Sequence, residues 1–141
     1  MCWYSEKLKI KTAKKDIPVW KIVIGSDDSS EICYSLYAKF SYVKSVIKTS
    51  SINFEPRRYG KTIIGSTGFH SYANKLKWKR DNCFILIYKK KIFSNFKNYM
   101  DVVCQSDVRI ARFRIPKGYQ YAENRYGEII SSAIVFDGFI D

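Results

Sequence analysis

His70 is the only histidine in the chain, in the segment Gly68-Phe69-His70-Ser71-Tyr72. An imidazole between a glycine, two aromatic rings and a hydroxyl can donate to a phosphate or ribose at the mouth of a pocket. It can equally fix a turn by bonding a backbone carbonyl. A second group of reactive types lies in Asp107-Val108-Arg109-Ile110-Ala111-Arg112-Phe113-Arg114-Ile115. Strand alternation there puts Ala111, Phe113 and Ile115 on one face and Arg112 and Arg114 on the other. Two guanidiniums on one sheet face suit a phosphate or carboxylate, which each grips with two parallel N–H bonds. Lys117 and Tyr121 follow within one turn, and Glu128 lies past the next. The expected ligand-binding set is therefore His70, Arg112, Arg114, Lys117, Tyr121 and Glu128. The competing reading pairs the two arginines with Glu123 and Glu128 on a solvated face.

Hydrolysis by a serine–histidine–acid triad is disfavoured. Ser71 is the nearest hydroxyl in sequence, and adjacent side chains diverge on a strand or a helix. Gly60-Lys61-Thr62 looks like the end of a phosphate-binding loop. That motif requires a glycine five residues earlier, where Glu55 stands. Cysteines 2, 33, 83 and 104 form no CxxC pair, and with one histidine no zinc spacing emerges. No metal and no cofactor is expected, and Cys33, Cys83 and Cys104 read as reduced core residues, whereas removal of Met1 would make Cys2 an N-terminal aminothiol.

The chain of 141 residues fits one domain, with 46% hydrophobic and 27% charged residues. Its formal net charge is +12. Residues 51–99 hold 11 basic against 2 acidic side chains, whereas residues 100–141 hold 5 against 6. A field of that sign favours anionic partners: a nucleotide, nucleic acid or an acidic protein surface. Lysine outnumbers arginine 18 to 7, and isoleucine reaches 18 against 6 alanines. An AT-rich genome produces that skew with no selection for binding. No apolar run approaches the roughly 20 residues of a membrane helix. The first residues lack the apolar core of a signal peptide, so the cytoplasm is the expected compartment.

Residues 1–16 read as a basic arm and 17–141 as a single compact domain. Ile17 to Ile24 reads as a strand, 25–30 as a turn, 33–49 as one or two strands and 50–60 as a loop. Ser71 to Trp78 places Tyr72 and Leu76 on one helical face with Ser71 as N-cap, which predicts a short helix near 71–79. Phe84 to Tyr88 reads as a central strand, 89–99 as an excursion, and 119–121 with 129–136 as a strand pair around the 124–127 turn. The fold class predicted is α+β: a strand-dominated, mixed or antiparallel sheet with one short helix.

Four segments in order resemble a family of small proteins of Bacteroidetes genomes and their phages. They are Met1-Cys2 with the lysine-rich arm through Asp16-Ile17-Pro18-Val19-Trp20-Lys21; Tyr34 to Tyr42; Gly68-Phe69-His70-Ser71-Tyr72; and Ile115-Pro116-Lys117-Gly118-Tyr119-Gln120-Tyr121 with Tyr126 to Ser131. The resemblance implies a phage or bacterial cytoplasmic protein and carries over no catalytic residue.

These readings converge on a small binding module for an anionic ligand, a nucleotide or nucleotide-like signal. In a phage setting it would sequester a host signal or inhibit a host defence protein, and self-association is compatible with it. One alternative is an enzyme acting on NAD or RNA with an ADP-ribosyltransferase-like sheet, using Glu128 and His70. Another is a nucleic-acid or protein binder working through the basic 51–99 region, where aromatics interleave with lysines.

Overall fold

A computed structural model describes residues 3–26, 29–35, 40–56, 63–73 and 108–140. Within them the chain forms thirteen strands and no helix. These are β1 (Trp3–Ser5), β2 (Lys11–Thr12), β3 (Ile17–Ser26), β4 (Ser29–Ser35), β5 (Ser41–Val43), β6 (Ile47–Thr49) and β7 (Asn53–Pro56). The remainder are β8 (Ile63–Thr67), β9 (Phe69–Tyr72), β10 (Val108–Ile115), β11 (Gln120–Glu123), β12 (Glu128–Ser131) and β13 (Ala133–Phe139).

The predicted α+β class is corrected to all-β for these residues. The expected helix near 71–79 fails at its start, because Ser71 and Tyr72 end β9. Their backbones pair with Ile129 and Glu128 of β12, and Tyr72 also pairs with Trp20 of β3. Ser71 is no N-cap, since it lies buried on the sheet. Cross-strand pairing of aromatic residues outweighs a short helical pattern. Residues 74–79 lie outside the described residues, as do the strand expected at 84–88 and the excursion at 89–99. The loop expected at 50–60 contains β7, which pairs with β8.

The large sheet runs β2-β11-β12-β9-β3-β10-β13-β6, with β4 and β5 attached beside β3. All its strand ladders are antiparallel. β3 pairs with β9 on one edge and β10 on the other; these pair in turn with β12 and β13. Only Ser132 separates β12 from β13, so the chain links the two flanks of the sheet, with β9, β3 and β10 between them. One face of this sheet carries Val19, Val23, Phe69, Ala111, Phe113, Ile115 and Ile129, which form the main core with Cys33, Tyr42 and Phe136.

The second sheet, β1-β8-β7, packs on the opposite face. There Trp3 joins Ala122 and Ile130, flanked by Ile52 and Phe54. The Trp3 and Phe54 rings meet edge to face at 5.5 Å. The basic arm is thus woven in at both ends, through buried Trp3 and through β2, which hydrogen-bonds to β11. Gly68 is the corner where the chain leaves β8 for β9. Its φ of 129° excludes a side chain at low cost, and a Cβ there would sit 2.8 Å from Ile130 Cγ1. The glycine of the histidine segment is therefore required by the passage between sheets.

Candidate functional site

Strand register fixes which of the predicted side chains share a face. Glu128 pairs with Tyr72, Tyr72 with Trp20, and Trp20 with Arg112. These four residues form one row across β12, β9, β3 and β10. Successive strands lie about 4.8 Å apart, so the row sets the carboxylate and guanidinium backbones roughly 14 Å from each other. Tyr72 is buried, Trp20 and Glu128 are half-buried, and Arg112 is exposed. His70 occupies the same face two residues along β9, opposite Ile130. It is a diagonal neighbour of Glu128, a spacing of about 7–8 Å at Cα.

Arg114 also shares this face, one step further along β10, but it is engaged. It forms ion pairs with Asp137 and with Asp16, whose Oδ2 lies 3.8 Å from Nε. Asp16 Oδ1 also accepts from the Lys117 backbone N–H at 2.9 Å. These partners are Asp137 and Asp16 rather than the expected Glu123 and Glu128. The cluster ties the 116–118 turn to the start of β3. Lys117 is exposed on that turn. Tyr121 pairs with Ser131, so it lies on the opposite face and packs against the main core. The six residues therefore do not meet at one point: His70, Glu128 and Arg112 share a face with Trp20 and Tyr72, Arg114 is tied down, and Lys117 and Tyr121 lie elsewhere.

His70 is half-buried, and its pKa is lowered to about 4, first by burial and then by the Lys21 ammonium. At neutral pH it is uncharged and can donate or accept one hydrogen bond. Its neighbour Ser71 projects to the opposite face, so no serine–histidine pair forms.

Three further residues organise this region. Lys21 alternates with Val19 and Val23 and so enters the core face, where its Nζ donates to the backbone carbonyl of His70. Burial lowers its pKa to about 8, with Cys33 acting in the opposite sense. The Cys33 thiol is buried and pushed up to about 12, which leaves it protonated and unreactive.

The third is Asn124, 5% exposed. Its amide nitrogen donates to the Tyr4 carbonyl at 2.8 Å and to Glu128 Oε1 at 3.2 Å. Its side-chain oxygen accepts from the backbone N–H groups of Tyr126 and Glu128 at 2.9 and 3.0 Å. Trp3 Nε1 donates to the Glu128 carbonyl at 2.9 Å, completing the clamp between β1 and the β11–β12 hairpin. Asn124→Ala removes the acceptor of the Tyr126 and Glu128 N–H groups and a donor to the Tyr4 carbonyl, all in part-buried bonds, and should cost about 2 kcal/mol in denaturant unfolding. A change below 0.5 kcal/mol would show that water replaces the amide freely.

No family model matches the chain, and neither a curated protein nor a solved structure matches it. Among the described residues no three His, Cys, Asp or Glu side chains form a metal-binding group. No helix there is long and apolar enough to cross a membrane.

Proposed function

We infer that the protein is a small binding module for an anionic, nucleotide-like ligand, acting in the cytoplasm, with Arg112 and Trp20 as its contact pair. One observation carries this reading. Arg112 is exposed, makes no ion pair among the described residues and stands directly across from the half-buried Trp20. Its neighbour on the other side is Gly138, which offers no side chain to cover it. A guanidinium beside an indole can grip a phosphate while the ring stacks on a base. His70, uncharged and two residues along β9 from Tyr72, adds a hydrogen-bonding group to the same face. The formal charge of +12 supplies long-range attraction for an anion.

The test is a thermal-shift screen of mono-, di- and cyclic nucleotides against the wild type and two variants, Arg112→Ala and Trp20→Ala. A true ligand should raise the Tm of the wild type in a concentration-dependent way. Arg112→Ala should weaken that ligand at least about tenfold while changing the stability of the free protein by no more than about 0.5 kcal/mol. Absence of stabilisation by every nucleotide at millimolar concentration would overturn the reading.

A further inference from the structure

We propose that the opposite, core-facing side of β3 and β9 holds a second site, in which the Lys21 ammonium and the Ser71 hydroxyl together bind a small oxyanion such as a carboxylate or phosphate. Because Trp20 pairs with Tyr72, Lys21 and Ser71 are neighbours across the same two strands on the next row. Lys21 stands on that side by alternation with Val19 and Val23, and its Nζ donates to the His70 carbonyl, one residue from Ser71. Across the other edge of β3 it faces Ala111 of the main core.

Two observations point to a missing partner. Ser71 is 2% exposed, and its Oγ has no hydrogen-bond partner. Buried hydroxyls are almost always bonded, so an orphan of this kind implies an absent group. Separately, Lys21 carries an ammonium into a largely apolar setting with no carboxylate beside it among the described residues. Both ion pairs among the described residues belong to Arg114.

The titratable groups coupled to Lys21 from the strands packed around it are Cys33 of β4, Tyr42 of β5 and His70 of β9. The Tyr42 ring centroid lies 5.9 Å from Nζ. Burial pushes Cys33 and Tyr42 upward and His70 down, so each is neutral at physiological pH. Among the described residues nothing there neutralises the amine, which stays mostly protonated at pH 7 with a pKa of about 8. An ammonium and a hydroxyl on adjacent strands supply two convergent donors for one anionic oxygen pair. Lys21 as a residue is half-buried, unlike the buried Ser71 beside it. This site is independent of the Arg112 face, since it lies on the other side of the sheet.

The test follows the Lys21 Cε and Hε resonances in protein labelled with [13C]lysine, assigned by through-bond correlation in the wild type. Formate and inorganic phosphate are titrated in, with chloride at matched ionic strength as the control. The expected result is a saturable shift of the Lys21 signals with formate or phosphate but not chloride, and a rise of the Lys21 midpoint by about one pH unit in the bound state, the sign expected when an anion joins an ammonium. Ser71→Ala should weaken the anion about tenfold, and Lys21→Met should abolish binding. Should Lys21→Met fail to fold, Ser71→Ala still decides the matter because it removes a single oxygen. Lys21 signals that track ionic strength alone, or an affinity unchanged in Ser71→Ala, would overturn the proposal.

Discussion

Phe113→Ala is expected to lower the unfolding free energy by about 3–5 kcal/mol, the range for a large aromatic deleted from a packed core. Phe113 is fully buried on β10, the strand held between β3 and β13. It pairs across the ladder with Val19, and its ring lies 5.1 Å from Tyr42 and 5.4 Å from Phe136, centroid to centroid. Its removal opens a cavity where three strands contribute side chains. Closed ladders on both edges of β10 restrict the collapse that would refill it. The loss is a large fraction of the roughly 5–15 kcal/mol available to a domain of this kind and should lower the Tm by about 10 °C. Phe113→Leu, which keeps most of the volume, should cost less than half as much. Guanidinium unfolding of the two variants checks both numbers. Equal losses would mean that ring packing, and not volume, sets the cost. Arg112→Ala, one residue away and exposed, is the contrast: the same strand tolerates it because its side chain leaves the sheet toward solvent.

That contrast was legible from residue order alone. The alternation of 107–115 separates Ala111, Phe113 and Ile115 from Arg112 and Arg114, and all three apolar residues are buried. The helix near 71–79 was misread for a definite reason. Tyr72 and Leu76 have helical spacing, but Phe69 to Tyr72 also has the composition of a strand, and partners in β3 and β12 decide between the two. Those partners lie about 50 residues away on either side, beyond any local window. Lys21 did leave a signal. In Val19-Trp20-Lys21-Ile22-Val23 both faces of the strand are apolar, so the lysine has to enter one of them. Asn124 left none, because its identity as a clamp depends on the Tyr4 carbonyl, 120 residues away. Arg114 is the converse case. Its type and spacing point to an anion, and in the assembled sheet its partners are the chain's own Asp16 and Asp137. Side-chain alternation reports the face on which a residue stands; only the assembled sheet reports whether its chemistry is already spent.

Acidification should destabilise the protein through His70, by up to about 3 kcal/mol between pH 6.5 and pH 4. In the unfolded chain the imidazole titrates near 6.5; in the folded protein its pKa is lowered to about 4. Between those values the unfolded chain binds a proton that the folded one refuses, so stability falls as pH falls. Above pH 6.5 neither form is protonated and the contribution vanishes. Below pH 4 both are, and the loss reaches its limit. The physical cause is burial of the ring on the sheet, reinforced by the Lys21 ammonium. Other groups respond to the same pH change. The measurement is therefore a difference: unfolding free energies of the wild type and His70→Gln at pH 7, 6, 5 and 4. The variant should lose about 3 kcal/mol less than the wild type over that span, with the gap opening below pH 6.5. Parallel curves would mean that the folded protein admits the proton and that the ring is solvated. A ligand phosphate bound beside His70 would favour the imidazolium and raise its pKa, shrinking the gap. The same titration with and without a nucleotide thus reports whether the histidine faces the bound anion.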